Sequence, residues 1–374
     1  MPGVQTSEPL STKRSATTSR HSAIHPNASV KEALKKCLQQ LRRSEMIGIF
    51  KANLSRYPVV TSDKVRRVII VTYFQAGSNF VADLLSSSPP TFYHYEPLRI
   101  YGVATRLNEM TACKAISLIG HLLRYKLQSE EQYVHMVFEK KDLFKRNRFL
   151  WTLCQGTSGV CFWPDFVSKV CARAPVQGMK ITCLHMSQVR DWLRSNPDLA
   201  TSVKILHLVR DPRGILASRR LLGWCNGSKR CVHPATLCSE LRNDLNTTDE
   251  LDSSYPKSTY KVRFEDVSLD PKKRARELFE PLGLNHTMQV TLFLTEHTKV
   301  GDADASYPHS TKKNSSIVPF QWVNKLKFEE IADIQRSCWD VMRRCAIDLD
   351  LGRFGNLRGK SSCETPRAAL TLSH

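Results

Sequence analysis

The stretch RVIIVTYFQAGSNF, residues 67–80, decides the fold of this chain. Its first half is a run of β-branched and other apolar residues, the pattern of a strand buried on both faces of a parallel sheet. A loop at residues 74–78 follows, and residues 79–85 then have the composition of a helix. A buried strand that turns directly into a helix predicts an α/β fold: a single domain with a central, mostly parallel sheet flanked by helices.

A second strand, loop and helix follow in the same order further along the chain. The strand covers residues 204–209, the loop residues 210–213 and the helix residues 214–222. Residues 260–264 alternate between apolar and polar types and predict a third strand. The helix expected at residues 271–281 begins with a proline, which suits a first helical turn. Strands that alternate with helices support the α/β prediction.

Three regions divide the chain. Residues 1–64 are predicted to form a disordered stem, rich in Ser, Thr, Arg and Pro, and then a basic helix over residues 30–45. Residues 65–355 are the expected folded domain, whose last element is an apolar helical stripe at residues 331–345. Residues 356–374 are predicted to be a loose tail.

The net charge indicates the class of binding partner, and the sequons and cysteines indicate the compartment. The net charge of +20 calls for an anionic partner: nucleic acid, anionic membrane, phosphate or sulfate ester, or acidic glycan. The twelve cysteines include no C-x-x-C pair, which weakens the case for a structural zinc site. Six N-x-S/T sequons together with an even cysteine count favour an oxidising secretory lumen. The sequons begin at Asn27, Asn53, Asn226, Asn246, Asn285 and Asn314.

No targeting segment supports that compartment directly. The longest apolar run in the first sixty residues is the short stretch 46–50. A membrane span needs about 20 apolar residues and a signal-peptide core about 7–15. Either the protein is not luminal, or its N-terminus is an incomplete or processed version of a longer chain.

The loop after the first strand has the composition of an anion cradle. Small residues between a strand and a helix expose backbone N–H groups, and the helix N-terminus adds positive potential. Gly77 lets the backbone approach a ligand, while Ser78 and Asn79 offer side-chain hydrogen bonds. The loop is not a Walker A motif, because G-x-x-x-x-G-K-[ST] is absent. An ordinary β-to-α turn is the alternative interpretation.

The second loop, VRDPRG at residues 209–214, ends its strand with two cations. Arg210 and Ser218 can converge on one anion, which would accept hydrogen bonds from the forked guanidinium of the arginine and from the hydroxyl of the serine. Asp211 is placed to cap the new helix. A surface salt bridge is a reasonable alternative for Arg213 and a less reasonable one for the whole set.

These two elements resemble those of the Golgi carbohydrate sulfotransferases, in particular the N-acetylglucosamine/galactose/N-acetylgalactosamine 6-O-sulfotransferase group. That family carries a 5′-phosphosulfate loop of the form R-[ST]-G-S-[ST]-F and a 3′-phosphate element of the form V-R-D-P-R-[AG]-x-x-x-S. The similarity covers about residues 65–352. It includes QAGSNF at 75–80, YEPL at 95–98, VRDPRGILAS at 209–218, YKVRFED at 260–266 and the segment 322–345.

The resemblance implies a P-loop-like sulfotransferase fold and a metal-free transfer from 3′-phosphoadenylyl sulfate to a sugar hydroxyl, the 6-O of N-acetylglucosamine or galactose. It implies that Arg210 and Ser218 hold the 3′-phosphate and that Glu96 is the catalytic base; a helix or turn cap paired with a nearby cation is the alternative for Glu96. His94 is the reserve base, because the unperturbed pKa of histidine suits the role. The 5′-phosphosulfate would lie against Gln75, Ala76, Gly77, Ser78, Asn79 and Phe80.

The chain departs from the family pattern at the loop arginine. Gln75 stands there and brings no charge, Ala76 replaces a hydroxyl, and Asn79 replaces the second serine. A weakened or inactive homologue that binds nucleotide or glycan only is therefore the alternative function. The cations that can compensate are Lys180, Lys312 and Lys313.

The family also implies partners and a location. We expect a glycan acceptor on a glycoprotein or proteoglycan, a homodimer as one assembly, and a type II protein of the Golgi lumen whose N-terminal anchor is missing from this sequence. Nucleic acid is not expected, because aromatic residues do not alternate with basic runs. A P-loop kinase would need the absent Walker lysine.

The cysteines are most simply structural. Cys338 and Cys345 lie seven positions apart on one predicted helix, about 10.5 Å along its axis, which is too far for them to pair with each other. Cys225, Cys231 and Cys238 are close in sequence and are candidates for a local bridge. No cysteine lies on a strand-to-helix turn that would activate it as a nucleophile.

Overall fold

The structure is a computed structural model. It describes residues 53–88, 90–102, 106–156, 159–298 and 311–347, together with residues 32, 35 and 36. The predicted stem before residue 30 and the predicted tail lie outside the described residues. Of the predicted basic helix, only residues 32, 35 and 36 are described, and they are helical.

Five strands form one sheet in which every pair is parallel. Their order across the sheet is β2-β3-β1-β4-β5, and β1 lies at the centre between β3 and β4. The prediction of a central parallel sheet flanked by helices is confirmed. The strands are β1 Arg66–Val71, β2 Thr91–Tyr95, β3 Val176–Ile181, β4 Val203–Val209 and β5 Thr259–Arg263.

The helices lie between and after these strands. Short 3₁₀ helices cover Ser62–Lys64, Pro97–Tyr101, Leu127–Ser129, Val160–Phe162 and Val318–Asn324. The α-helices are α1 Ser78–Ser86, α2 Glu109–Leu123, α3 Glu131–Glu139, α4 Asp142–Lys145, α5 Arg148–Leu153, α6 Pro164–Cys171, α7 Met186–Ser195, α8 Pro197–Ala200, α9 Pro212–Arg220, α10 Gly223–Asn226, α11 Lys229–Val232, α12 Pro234–Ser254, α13 Phe264–Leu269, α14 Pro271–Phe279, α15 Met288–Thr298 and α16 Phe328–Arg344. Across the described part of the chain, no helix combines the length and apolar character needed to cross a membrane.

Two of the five strands, β2 and β3, were not expected from the sequence. β3 reads VQGMKI, in which Gln177, Gly178 and Lys180 interrupt the apolar pattern of a buried strand. Each polar or small residue has a tertiary reason: Gln177 accepts a hydrogen bond from buried Arg67, and Gly178 leaves room for the ring of Tyr93. The third predicted strand also ends one residue early, because Phe264 begins α13.

The order of the strands determines where a crevice opens. The chain leaves β1 towards β2 on one side of the sheet and leaves β4 towards β5 on the other side. Neighbouring parallel strands whose connections diverge in this way leave a crevice outside their carboxyl ends, where α/β proteins bind ligands. The two loops singled out in the sequence follow β1 and β4, so they meet at this crevice.

Three disulfides join described cysteines: Cys154–Cys161, Cys225–Cys231 and Cys238–Cys338. The local bridge expected among three cysteines forms between Cys225 and Cys231. Cys238 instead lies on α12 and ties that helix to α16, across 100 residues of sequence. Cys338 and Cys345 do not pair with each other, as the spacing argument predicted, and Cys345 is a free thiol.

Candidate active site

A cleft of about 1120 Å³ opens at the carboxyl ends of β1 and β4. Of the residues that the sequence assigned to donor binding and to the catalytic base, all but Ala76 line it. The side chain of Ala76 is fully buried and packs in a core cluster with Tyr73 instead. The predicted residues that line the cleft are Gln75, Gly77, Ser78, Asn79, Phe80, Glu96, Arg210 and Ser218.

Gly77 shapes the turn between β1 and α1. Its φ of 80° lies in the left-handed region, and a Cβ on it would come within 2.2 Å of the ring of Phe264. Gly77 is the N-cap of α1, and no described side chain caps this helix end. The first amides of α1 are therefore available to an anion in the cleft, with the helix dipole behind them.

Arg210 is a buried cation without an ion-pair partner in the described part of the chain. Its Nη1 donates to the carbonyl oxygen of Gln75 at 2.9 Å, and its Nη2 to that of Val318 at 3.3 Å. The guanidinium lies over the ring of Phe264, with 4.8 Å between its Cζ and the ring centroid. Burial lowers the pKa of Arg210. The charges of Glu265 and Asp211 offset part of this effect, but no described carboxylate forms an ion pair with the guanidinium, so this position favours an anionic ligand.

Gly214, in the first turn of α9, leaves room for the side chain of Arg210. A Cβ at Gly214 would lie only 2.9 Å from the Nε of Arg210. Ser218 follows on α9 and lines the same cleft. Arg210 and Ser218 are thus brought to one cavity, as the sequence predicted.

Arg213 is a structural residue rather than a second ligand. Its Nη2 lies 2.8 Å from Oδ2 of Asp211, and its guanidinium stacks on Trp322 at 4.0 Å. Asp211 caps α9 by accepting from the Arg213 amide at 2.8 Å, as predicted. The carboxylate of Glu265 accepts from the Asp211 amide at 2.9 Å and so fixes the start of α9. Burial raises the pKa of Glu265.

Lys180 lies on β3, lines the cleft, and contacts both the predicted catalytic base and a residue predicted to bind the donor. Its Nζ lies 2.8 Å from Oε1 of Glu96 and donates a hydrogen bond to Oδ1 of Asn79, in the first turn of α1. It also lies over the ring of Tyr95, 4.1 Å from the centroid. Lys180, one of the three lysines named as substitutes for the missing loop arginine, thus contacts the start of α1 directly after this loop.

Glu96 follows β2 and lines the cleft with a backbone φ of 45°. Burial would raise the pKa of its carboxyl, but Lys180 and Arg99 outweigh that effect and the pKa is lowered. Arg99 donates to Oε2 at 3.2 Å. Gln75, on the opposite loop, also has a positive φ, 67°. Left-handed non-glycine residues are unusual and concentrate at functional sites.

His94 does not suit the role of a reserve base. Its side chain is buried, and neither ring nitrogen finds a partner among the described residues. Burial lowers its pKa to about 3, so the imidazole is neutral. His94 is not among the residues that line the cleft, which places it in the core.

Two further lysines come from the segment after α15. Lys313 and Lys325 line the cleft, whereas Lys312 does not. Burial lowers the pKa of Lys313, and the neighbouring charges of Lys325 and Arg210 lower it further. Burial and Arg210 likewise lower the pKa of Lys325. Three cations that repel one another across one cavity form a binding place for a multiply charged anion.

Sequence reasoning missed Lys325, Arg99, Arg146 and Trp224, because their relation to the cleft is set only by the fold. No local pattern in the sequence marks them. The lining contains an excess of cations over acids. The cations are Arg99, Lys140, Arg146, Lys180, Arg210, Lys313 and Lys325, and the acids are Glu96, Glu139 and Asp142. Within the described residues, no group of three or more His, Cys, Asp or Glu side chains could hold a metal ion.

The sulfotransferase domain family matches residues 65–346, and the chain belongs to that family. It is 28% identical to carbohydrate sulfotransferase 1 of Mus musculus over 321 residues, 74% of this chain and 77% of the relative. Carbohydrate sulfotransferase 5 of Homo sapiens is 26% identical over 326 residues, 75% and 77% of the two chains. These relatives confirm the resemblance drawn from the motifs. A solved structure, the sulfotransferase domain from the Synechococcus PCC 7002 olefin synthase, is 18% identical over 76% of this chain and 96% of that one, with a TM-score of 0.45.

Proposed function

We propose that this protein transfers a sulfuryl group from 3′-phosphoadenylyl sulfate to a sugar hydroxyl, the 6-O of N-acetylglucosamine or galactose on a glycan. The observation that carries the proposal is Arg210: a buried guanidinium, without an ion pair in the described part of the chain, on a cleft that also receives the uncapped start of α1. Two anion-binding features on one cavity match a donor with phosphates at both ends.

The donor would lie with its 5′-phosphosulfate on the amides of Gly77, Ser78 and Asn79 and its 3′-phosphate at Arg210 and Ser218. Lys313 and Lys325 add positive potential to the cleft that receives these phosphates. The contact between Arg210 and the carbonyl of Gln75 couples the two anion sites directly. Gln75 would thus contribute its backbone rather than its side chain.

Transfer breaks the bond between sulfur and the bridging phosphate oxygen and forms a bond between sulfur and the sugar oxygen. The sugar hydroxyl gives up its proton, which Glu96 accepts, and adenosine 3′,5′-bisphosphate leaves. Lys180 would neutralise the charge that develops on the leaving phosphate, because its ammonium contacts the cradle residue Asn79. Positioning and electrostatics supply most of the acceleration in such a reaction.

A binding-only homologue was the alternative, motivated by Gln75. The position of Lys180 weakens that motive, since a buried cation contacts Asn79 on α1, four residues after the position where the arginine is absent. The pKa of Glu96 is lowered, so its carboxylate is ionised at neutral pH. The position of Lys180 is therefore the feature that supports turnover.

We further propose a luminal Golgi location, with residues 65–355 as the catalytic domain, residues 1–64 as its stem and residues 356–374 as a tail. Asn226, Asn246 and Asn285 are exposed on the described surface, where a sequon is accessible for glycosylation. A mobility shift after glycosidase treatment of the natural full-length product tests the compartment; an unchanged mobility with titratable thiols contradicts it.

The function itself is tested by incubation with radiolabelled 3′-phosphoadenylyl sulfate and a panel of N-acetylglucosamine- and galactose-ended oligosaccharides. Label is expected on the 6-O of one class of acceptor, located by fragmentation of the product. A Glu96→Gln variant, similar in shape but unable to accept the proton, is the matched control. Label on neither class, from protein that binds adenosine 3′,5′-bisphosphate, would favour the binding-only alternative.

A further inference from the structure

One exposed aromatic residue of the cleft has no role in the donor chemistry described above. Trp224 lines the cleft on α10, yet 55% of its surface is exposed. Its ring contacts that of Phe74, with 5.1 Å between the centroids and 54° between the planes. Phe74 directly precedes Gln75, so the pair stands beside the predicted phosphosulfate cradle. Together Phe74 and Trp224 form what we call the rim shelf.

The exposed ring of Trp224 is held firmly, with the buried ring of Phe74 beside it. The disulfide Cys225–Cys231 closes the segment that begins directly after Trp224. Buried Arg219 joins that segment to the strand end: its Nε donates to the carbonyl of Phe74 at 3.1 Å and its Nη1 to that of Cys231 at 3.0 Å. Burial lowers the pKa of Arg219 to about 10, so its charge persists at neutral pH. A rigid scaffold under an exposed aromatic ring is the arrangement expected of a binding platform.

The degree of exposure distinguishes between two flat ligands. A nucleotide base is usually enclosed, and the more buried aromatic side chains of the cleft, Phe80 and Phe264, suit it better than Trp224 does. A sugar at the end of a glycan presents one face of axial C–H bonds while the rest of the chain continues into solvent. Those C–H groups pack on the electron-rich face of an indole. An open ring at the mouth of a cleft fits the sugar.

We propose that the exposed indole of Trp224, supported by the buried ring of Phe74, binds the acceptor sugar by stacking, on a segment that Arg219 ties to the end of β1. This inference rests on the proposed function, since it names the acceptor side of the same site. The rim shelf would bind a neutral face of the acceptor pyranose, whereas Arg210 and the loop after β1 would bind the phosphates of the donor.

The test compares Trp224→Ala with Trp224→Tyr and with Trp339→Ala. Trp339 is similarly exposed, at 52%, but lies on α16 and does not line the cleft. In Trp224→Ala the KM for the oligosaccharide acceptor should rise about threefold to tenfold, the range that one aromatic contact supplies. Trp224→Tyr should recover most of the loss, and Trp339→Ala should behave as wild type. Affinity for adenosine 3′,5′-bisphosphate should stay unchanged in all three.

A lower nucleotide affinity in Trp224→Ala with an unchanged acceptor KM would assign the shelf to the adenine and overturn the proposal. If Trp224→Ala changes neither the nucleotide affinity nor the acceptor KM, the proposal is overturned as well. A binding assay that needs no turnover separates this failure from failure of the proposed function: titration of wild type with N-acetylglucosamine- and galactose-ended oligosaccharides should change the tryptophan fluorescence. The change should vanish in Trp224→Ala and persist in Trp339→Ala. No sugar-dependent change in wild type would also overturn the proposal, whether or not sulfate is transferred.

Discussion

The loop after β1 and the loop after β4 both face the cleft, but they would hold an anion by different means. The β1 loop has no charged side chain of its own and offers backbone amides, arranged by Gly77 at the start of α1. The β4 loop offers the side-chain charge of Arg210, oriented by two backbone carbonyls. One loop therefore depends on conformation and the other on charge.

This difference predicts that the β1 motif tolerates a change that the β4 motif does not. A loop that binds through its backbone can lose an arginine if another element supplies the cation, and Lys180 reaches Asn79 at the start of α1 from β3. A loop that binds through one buried guanidinium has no such freedom. The four substitutions and the pH profile below test this division.

The largest effect is expected from Lys180→Met. The variant removes the cation of the β1 side while retaining most of the apolar stem. Loss of one preorganised donor to the transition state costs about 2.7–4 kcal/mol, so kcat should fall about a hundredfold to a thousandfold. Lys140→Met, which removes another cation that lines the cleft, is the matched control and should retain most of the activity. A kcat near that of wild type in Lys180→Met would show that the β1 loop does not need the cation that Lys180 supplies from β3.

Arg210→Ala should have the next largest effect, on binding rather than on the chemical step. A hydrogen bond to a charged group contributes about 1.5–3 kcal/mol, which corresponds to a loss of roughly tenfold to over a hundredfold in affinity for adenosine 3′,5′-bisphosphate. Isothermal titration of the folded variant measures it. The control is Lys325→Ala, which removes a less buried cation from the same cavity and should cost less. Unchanged affinity in Arg210→Ala would refute the assignment of this residue to the 3′-phosphate.

Gly77→Ala tests the conformational half of the comparison. Alanine at a left-handed φ costs roughly 1–2 kcal/mol, and its Cβ must also displace the ring of Phe264. We expect about tenfold weaker nucleotide binding. Gly223→Ala is the control, because a Cβ there meets nothing within 4 Å and its φ is not left-handed. If Gly77→Ala binds as tightly as wild type, the cradle does not depend on this turn.

The pH dependence of turnover tests the link between Lys180 and Glu96. In wild type the pKa of Glu96 is lowered from 4.5, so its carboxylate remains a proton acceptor through mildly acidic pH and kcat/KM should stay level there. In Lys180→Met burial is opposed by Arg99 alone, the pKa of Glu96 rises, and the acid limb of the profile should move to higher pH. Profiles of the two proteins between about pH 4 and 8 measure this shift. Coincident acid limbs would mean that Glu96 is not the group that titrates.

The sequence predicted the parts of this fold whose pattern is local. β1 and β4 are continuous apolar runs, and the loops after them have distinctive composition, so these two strands, the helices that follow them and eight of the cleft residues were found. β3 was missed because Gln177 and Lys180 are polar for reasons that lie elsewhere in the chain, in Arg67 and in Asn79. The pairing of Cys238 with Cys338 and the core position of His94 depend on packing in the same way.

Gln75→Arg should have the smallest effect, and its sign depends on where the cation of the β1 loop comes from. The family pattern has an arginine there, so restoring it would raise kcat if the site lacked a charge. The structure already places the ammonium of Lys180 on Asn79, and the carbonyl of Gln75 receives Arg210 at 2.9 Å. A second guanidinium would repel both cations at close range. We therefore expect kcat of Gln75→Arg to stay within about threefold of wild type or to fall, where a tenfold gain would correspond to about 1.4 kcal/mol of transition-state stabilisation. The decisive comparison is the double variant: in the Lys180→Met background Gln75→Arg should restore part of the lost kcat, because the β1 loop then lacks a cation that the arginine can supply. A gain of tenfold or more in the wild-type background, with no recovery in the double variant, would mean that Lys180 serves only to hold Glu96 and that the β1 loop lacks a cation after all.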